Sequence, residues 1–449
     1  MPAGKTLAAL AVDLASGQLT SRAIVEDGLA RASDTKGEGA RAFIALNAEA
    51  VRGAADAADK ARAAGRAPSP FAGIPVAIKD LFDVAGERTR AGSRALDDRP
   101  RAQADAPVVA RLRAAGFIPF GRTNMTEFAY SGLGMNAHFG TPLNPYDRKT
   151  GRIPGGSTSG GAVAVADGMA PAALGTDTGG SCRIPAALSG IVGFKSTAAR
   201  IPREGVVPLS STLDSIGPLA NSVSCCAILD AVLAGSAPEA VQPLPISGLK
   251  LALPKTYVLD GLDETVAKTF ERALKAISAV GATIVEVPFA ELAEIPAINA
   301  KGGLVNAEAY AWHRPIIEHA AAKYDPWILS RFDVGKAMSA ADYIATLNGR
   351  ADLIRRMNGL TAPYDAVILP TCAIIAPAIK AMQDRDVSQR TNMLLLRNTA
   401  MGNFLDRCAV SIPCHAPGEA PVGLMVMGET GGDRRLLAVA AAIEAALNP

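Results

Sequence analysis

Apolar residues along the chain alternate between helical and strand-like patterns. Residues 6–65 are predicted to be helical, with Thr20 or Ser21 capping a helix over 22–31 and an alanine-rich helix over 48–64. Beyond them, helices are predicted over 104–115, 160–168, 264–280, 305–358 and 434–447, and strands over 71–79, 117–120, 249–253, 283–287 and 365–370. This alternation favours an α/β fold.

One stretch of the chain has neither pattern. Residues 124–150 are rich in Gly, Asn and Pro and are predicted to form a long loop, and such loops often carry binding groups. With 449 residues, the chain can bury a large core and could form one large domain or two.

Composition narrows the classes of function. The 45 basic and 43 acidic residues give a formal charge of +2, so nothing favours a nucleic-acid partner. No apolar run approaches the roughly 18–20 residues that span a bilayer, and residues 1–5 lack the apolar stretch of a secretory signal. Six scattered cysteines fit a reducing cytoplasm. We expect a cytoplasmic protein without a membrane partner, and a homodimer is compatible with the sequence.

Two Gly-Gly-Ser turns are the strongest local signal. They contain Ser157 and Ser181, which are 24 residues apart and flank an Ala/Val-rich segment. Glycine permits sharp turns and exposes consecutive N–H groups that can converge on an anion. Each serine is therefore a candidate nucleophile beside an oxyanion-binding turn.

A serine nucleophile needs a base. None of the four histidines lies in a recognisable catalytic pattern. Lys79 ends the apolar run 73–78, which is predicted to be a buried strand. Desolvation lowers the pKa of a lysine, so Lys79 is the candidate base.

In order and spacing, three motifs resemble the amidase signature family. They are GIPVAIKD at 73–80, PGGS at 154–157 and GTDTGGS at 175–181, with weaker similarity over nearly the whole chain. The resemblance implies a single domain over 1–449, with a mixed central sheet covered on both faces by helices. It places the signature core at about 70–220 and a more variable helical part at about 250–360.

The resemblance also implies a mechanism without a cofactor. Ser181 is expected to be the nucleophile, Ser157 the bridging serine after a cis peptide bond, and Lys79 the base. The backbone N–H groups of Thr178, Gly179, Gly180 and Ser181 are expected to form the oxyanion hole. One departure from the commoner GGSSGG pattern is that Thr158 and Ser159 follow Ser157, which makes Ser159 a competitor for the bridging role.

Structural explanations compete with these roles. Taken alone, Ser157 and Ser181 would be ordinary turn serines, and Lys79 a solvated strand end. Cys182 is predicted to be a buried structural thiol, and Asp177 and Arg183 are expected to pair across the nucleophile turn. Because the His and Cys residues show no metal-ligand spacing, no metal site is predicted.

The predicted function is a serine amidohydrolase acting on a small amide, ester or carbamate. Substrate specificity is expected from 124–145, 200–213, 300–350 and 371–384, and the candidate substrate contacts are Met125, Phe128, Tyr130 and Phe139. One alternative is the amidase component of a tRNA-dependent amidotransferase, although the middle third lacks the glutamine-recognising segment associated with it. The other is a non-catalytic binding protein on the same fold.

Overall fold

A computed structural model of the chain describes residues 4–447. The prediction that residues 1–5 form no secretory signal therefore lies partly outside the described residues. The helices are α1 (Leu7–Ser16), α2 (Ser21–Ser33), α3 (Gly39–Ala42), α4 (Ala48–Ala63), α5 (Pro107–Ala114), α6 (Ser159–Ala166), α7 (Arg183–Ser189), α8 (Val223–Leu233), α9 (Glu264–Ala279), α10 (Glu294–Ile298), α11 (Gly303–Ala320), α12 (Pro326–Leu329), α13 (Phe332–Ala337), α14 (Ala340–Thr361), α15 (Arg385–Phe404) and α16 (Asp433–Leu447). The strands are β1 (Phe43–Ala45), β2 (Pro75–Lys79), β3 (Ile118–Thr123), β4 (Ala172–Asp177), β5 (Val192–Lys195), β6 (Ser215–Ala220), β7 (Lys250–Pro254), β8 (Thr283–Val287), β9 (Ala366–Pro370), β10 (Ala409–Pro413) and β11 (Gly423–Met427).

These strands form one mixed sheet in the order β1-β3-β2-β4-β6-β5-β10-β11-β9-β7-β8. The neighbours β3, β2 and β4 are parallel, as are β9, β7 and β8, whereas the other pairs are antiparallel. The predicted α/β class is confirmed, because strands from both halves of the chain join in this sheet and helices pack against it.

The sheet is covered on both faces. Along β2, Val76 and Ile78 belong to one buried cluster that includes Leu10 of α1 and Ile228 of α8. Ala77, which points to the opposite face, belongs to a second cluster with residues of α2 and α6. This alternation follows from the two-residue period of a strand. It leaves β2 buried along its whole length.

Several central elements were not predicted from the sequence, namely β4, β5, β6, β10, β11, α8 and α15. In β5 and β6, the glycines explain why. A Cβ atom on Gly217 would lie 1.8 Å from the carbonyl oxygen of Phe194, and one on Gly193 would lie 2.4 Å from that of Cys182. The close backbone approach requires glycine here, and glycine hides the apolar strand pattern.

By contrast, the predicted strand at 283–287 coincides with β8, and Thr20 caps α2 through its side chain as expected. Among residues 4–447, no helix is both long and apolar enough to cross a bilayer.

Candidate active site

Lys79 lies at the end of β2, between β3 and β4, and its side chain has no exposed surface. Its Nζ lies 2.8 Å from Ser157 Oγ and 2.9 Å from Thr176 Oγ1. Burial lowers the pKa of Lys79 to about 8. A substantial fraction of the amine is therefore neutral at mildly alkaline pH, and a neutral amine can accept a proton from a hydroxyl.

Ser157 lies in the turn before α6, and the peptide bond between Gly156 and Ser157 is cis. A Cβ atom on Gly156 would lie 2.5 Å from the backbone nitrogen of Gly134, so only glycine fits at this position. Thr126 donates its backbone N–H to the Ser157 carbonyl at 3.1 Å. The neighbouring Ser159 is also buried, but its Oγ has no hydrogen-bond partner among the described residues. The amine of Lys79 therefore contacts Ser157 and not Ser159, the other candidate for the bridging role.

Ser181 lies in the turn that joins β4 to α7, and a buried ion pair holds this turn. Asp177 and Arg183 have no exposed surface, and their side chains approach to 2.8 Å. Asp177 also accepts backbone hydrogen bonds from Gly180 at 2.8 Å and Cys182 at 3.1 Å. Burial alone would raise the pKa of Asp177, but the Arg183 guanidinium lowers it to about 2. The predicted pairing of Asp177 with Arg183 is confirmed.

Asp177→Asn should destabilise the protein strongly, because the variant leaves Arg183 as an uncompensated buried charge. Breaking a buried pair in this way costs about 3–5 kcal/mol of unfolding free energy. Denaturant titration would measure the change. The control is Asp98→Asn, which removes an exposed pair with Lys323 and should change the stability far less, because solvent screens an exposed ion pair. Equal stability of the two variants would contradict a structural role for the buried pair.

The backbone of the nucleophile turn presents N–H groups to a cavity. In the described part of the chain, the N–H groups of Thr178, Gly179 and Ser181 donate to no protein acceptor, and all three residues line the same cavity. Gly180 differs from the sequence-based expectation, because its N–H is already donated to the Asp177 carboxylate. The donors left for an oxyanion are therefore those of Thr178, Gly179 and Ser181.

Gly180 instead has a steric role in this turn. Its φ is +133°, and a Cβ atom there would lie 2.2 Å from Thr399 Oγ1. The Thr399 hydroxyl donates to the Gly179 carbonyl at 2.6 Å, so α15 supports the turn from outside. Cys182, the residue after the nucleophile candidate, is fully buried, and burial raises the pKa of its thiol well above the usual range. Its environment is that of an unreactive core thiol.

The segments that contain the two serines are joined through the backbone, because Thr158, the residue after Ser157, donates its N–H to the Ser181 carbonyl at 3.2 Å. Among residues 4–447, we find no hydrogen bond between the hydroxyls of Ser157 and Ser181. A direct proton transfer between them therefore requires the two hydroxyls to approach each other.

The cavity beside Ser181 has a volume of about 270 Å³. Its walls are largely apolar, with three asparagines and one arginine among the polar residues. They comprise Ala129, Tyr130, Ser131, Thr178, Gly179, Ser181, Leu209, Leu213, Ile295, Asn299, Val305, Asn306, Arg331, Asn392, Leu396, Ala400 and Phe404.

Of the candidate substrate contacts, the structure brings only Tyr130 to this cavity. Met125 is fully buried in the core and Phe128 packs against His313 and Tyr324, so neither side chain lines the cavity. Phe139 lies outside the wall as well. The physical reason is that the start of the 124–150 loop turns inward and is itself part of the core.

Sequence reasoning missed several wall residues. As expected, the wall includes residues from segments 124–145, 200–213 and 300–350, whereas it includes none from segment 371–384. The whole contribution of α15, including Asn392 and Leu396, was missed because that helix was not predicted. Arg331 was missed because nothing in the local sequence distinguishes it from a surface arginine.

Comparison with known proteins identifies the family of this chain. Residues 23–437 match the family model described as Amidase. The chain is 36% identical to a 2-amino-5-chloromuconic acid deaminase of Comamonas testosteroni, over 88% of this chain and 86% of the relative. It is 35% identical to one component of the glutamyl-tRNA(Gln) amidotransferase of Chromohalobacter salexigens, over 97% and 95%. It also resembles a solved structure described as an amidase, with a TM-score of 0.89, 32% identity and coverage of 98% and 99%. The chain belongs to the amidase family and is a hydrolase that acts on carbon–nitrogen bonds.

Proposed function

We propose that this enzyme hydrolyses a small-molecule amide through an acyl-enzyme on Ser181, with Ser157 and Lys79 as the proton relay. The observation that carries the proposal is the contact of 2.8 Å between Lys79 Nζ and Ser157 Oγ. Such a relay needs a buried lysine with a lowered pKa beside a serine close to the nucleophile. Lys79 is fully buried with a lowered pKa, and Thr158, the residue after Ser157, is hydrogen-bonded to the Ser181 carbonyl.

In the first half-reaction, Ser181 Oγ attacks the substrate carbonyl. The Ser181 proton passes to Ser157 Oγ as the Ser157 proton passes to neutral Lys79. The carbonyl oxygen becomes an oxyanion, which the free N–H groups of Thr178, Gly179 and Ser181 can stabilise by about 3–4 kcal/mol per donor. The C–N bond then breaks, and the relay returns a proton to the departing amine.

In the second half-reaction, water replaces the amine. Its proton passes along the same relay to Lys79 as its oxygen attacks the acyl carbon. The ester bond to Ser181 then breaks, the relay returns the proton to Ser181 Oγ, and a carboxylic acid is released. Esters and carbamates can form the same acyl-enzyme, so we include them as substrate classes, a urethanase activity among them. The relative named as a deaminase supports a C–N bond as the main target.

Two further assignments accompany this function. We assign one domain to the whole chain, supported by the continuous sheet and by the family match over residues 23–437. We assign the enzyme to the cytoplasm, because its six cysteines are free thiols buried in the fold.

Labelling with a fluorophosphonate probe tests the nucleophile directly. We expect one adduct, mapped by peptide mass spectrometry to Ser181, because only this serine combines relay groups with free N–H donors. The adduct should form much more slowly in Lys79→Ala. An adduct on Ser157 or Ser159, or equal rates in the two proteins, would contradict the assigned roles.

A second candidate is a component of a tRNA-dependent amidotransferase, favoured by the relative with 35% identity over nearly the whole length of both proteins. It predicts release of ammonia from glutamine and dependence on partner proteins. The assay is ammonia release by the purified chain from glutamine and from simple amides. Turnover of simple amides without partners supports the amidohydrolase, whereas activity only with glutamine and added partners supports the second candidate.

A further inference from the structure

The cavity that contains Ser181 has a positively charged side chain, Arg331, in its wall. Among the described residues that line it, Arg331 is the only one with a formal charge, and no aspartate or glutamate accompanies it. The remaining wall is apolar or neutral and polar. A guanidinium is positively charged throughout the physiological pH range.

Among the described residues, no carboxylate lies within salt-bridge distance of Arg331. Within residues 4–447, its side chain makes no salt bridge and no hydrogen bond, and its Nε is buried without an acceptor. The contact we find for the guanidinium is with the ring of Tyr130, at 5.7 Å from Cζ to the ring centroid. A buried donor without a partner is costly, so its retention at this position calls for an acceptor from outside the chain.

The surroundings hold Arg331 in place but do not neutralise it. The ring of Tyr130 packs on Phe332 at 5.3 Å, and its hydroxyl donates to Asn306, so the platform under the guanidinium is fixed. The carboxylate that attracts Arg331 is that of Asp325, which caps the backbone of Trp327 and lies beyond ion-pair distance. Arg385, a second cation in this region, adds to the positive field.

From this arrangement we infer that the substrate carries a carboxylate, which pairs with Arg331 while its amide carbonyl lies at Ser181. This inference rests on the proposed function and specifies its substrate class as small amides that also bear a free acid, such as monoamides of dicarboxylic acids. The planar fork of an arginine matches the two oxygens of a carboxylate. Apolar residues of the same wall, such as Leu213, Val305 and Leu396, suit the short carbon chain between the two groups.

Binding measured in the Ser181→Ala protein tests the inference independently of catalysis. The probes are malonamic, succinamic and glutaramic acids, each compared with a neutral analogue in which a methyl ketone replaces the acid. Calorimetry should show at least one acid binding about 100-fold more tightly than its neutral analogue, the effect of one charge-assisted hydrogen-bonded pair. Adding Arg331→Met should remove this preference, and Arg331→Lys should restore part of it.

The control is Arg385→Met, which removes a nearby cation that is not part of the wall and should preserve most of the preference. Equal affinity for acids and neutral analogues, or a preference that survives Arg331→Met, would overturn the inference. So would failure of all three acids to bind. None of these outcomes bears on the labelling of Ser181, so the inference and the proposed mechanism can fail separately.

Discussion

Replacing Ser181 with alanine should lower kcat by about 10⁶-fold, to the level of the oxyanion donors and binding alone. The reason is that, among the described residues near the cavity, no other nucleophile is placed to form the proposed acyl-enzyme. The thiol of the adjacent Cys182 is fully buried, and burial raises its pKa. The hydroxyl of Ser157 is hydrogen-bonded to the amine of Lys79. Steady-state release of ammonia from an amide substrate would measure the loss, and unfolding by denaturant would establish that the variant is folded.

The matched control for this experiment is Ser159→Ala. Ser159 is a buried serine at the start of α6, but its hydroxyl has no hydrogen-bond partner among the described residues. Its removal should change kcat far less than the loss of Ser181. Wild-type turnover in Ser181→Ala would contradict the assignment of Ser181 as the nucleophile. A large loss of kcat in Ser159→Ala would contradict the assignment of Ser157 as the bridging serine.

Replacing Lys79 with methionine should be nearly as damaging, because the relay then lacks its base while the buried volume is roughly kept. In the wild-type enzyme, kcat/KM should rise about tenfold per pH unit below the pKa and level off above about pH 8. The sign follows from the protonation state: only neutral Lys79 accepts a proton, and raising the pH increases the neutral fraction. Rates measured between pH 6 and about pH 10 would give this profile.

Lys195→Met is the matched control for the pH dependence. Lys195 is a second fully buried lysine, but it donates to the carbonyls of Ser196 and Arg407 outside the cavity. The shape of the pH profile should be the same in this variant as in the wild type. A flat wild-type profile, or a profile that changes in Lys195→Met, would contradict the assignment of Lys79 as the base.

The sequence was most informative where function depends on short local segments. Ser157 and Ser181 lie in turns that require glycine at 156 and 180, because side chains there would collide with Gly134 and Thr399. Glycines that are required in this way form the Gly-Gly-Ser motifs that can be recognised in the sequence. Lys79 could be identified as a candidate base from the sequence because a charged residue at the end of a buried apolar strand is uncommon.

The sequence was least informative where the site depends on distant segments. Arg331 and Ser181 are brought together only when the helices of the second half pack over the sheet, and no local pattern encodes that contact. Likewise, the hydrogen bond from the Gly180 N–H to the Asp177 carboxylate depends on where that carboxylate lies after folding. Such details follow from tertiary packing, which a motif does not describe.

The distribution of the site along the chain also bears on how such enzymes diverge. The proposed nucleophile and proton relay, Ser181, Ser157 and Lys79, lie on and beside the central parallel strands, whereas much of the cavity wall comes from helices between residues 295 and 404. Mutations in those helices can therefore alter what is bound without altering the proton relay. This separation allows selection to explore new substrates on an unchanged catalytic apparatus, one substitution at a time.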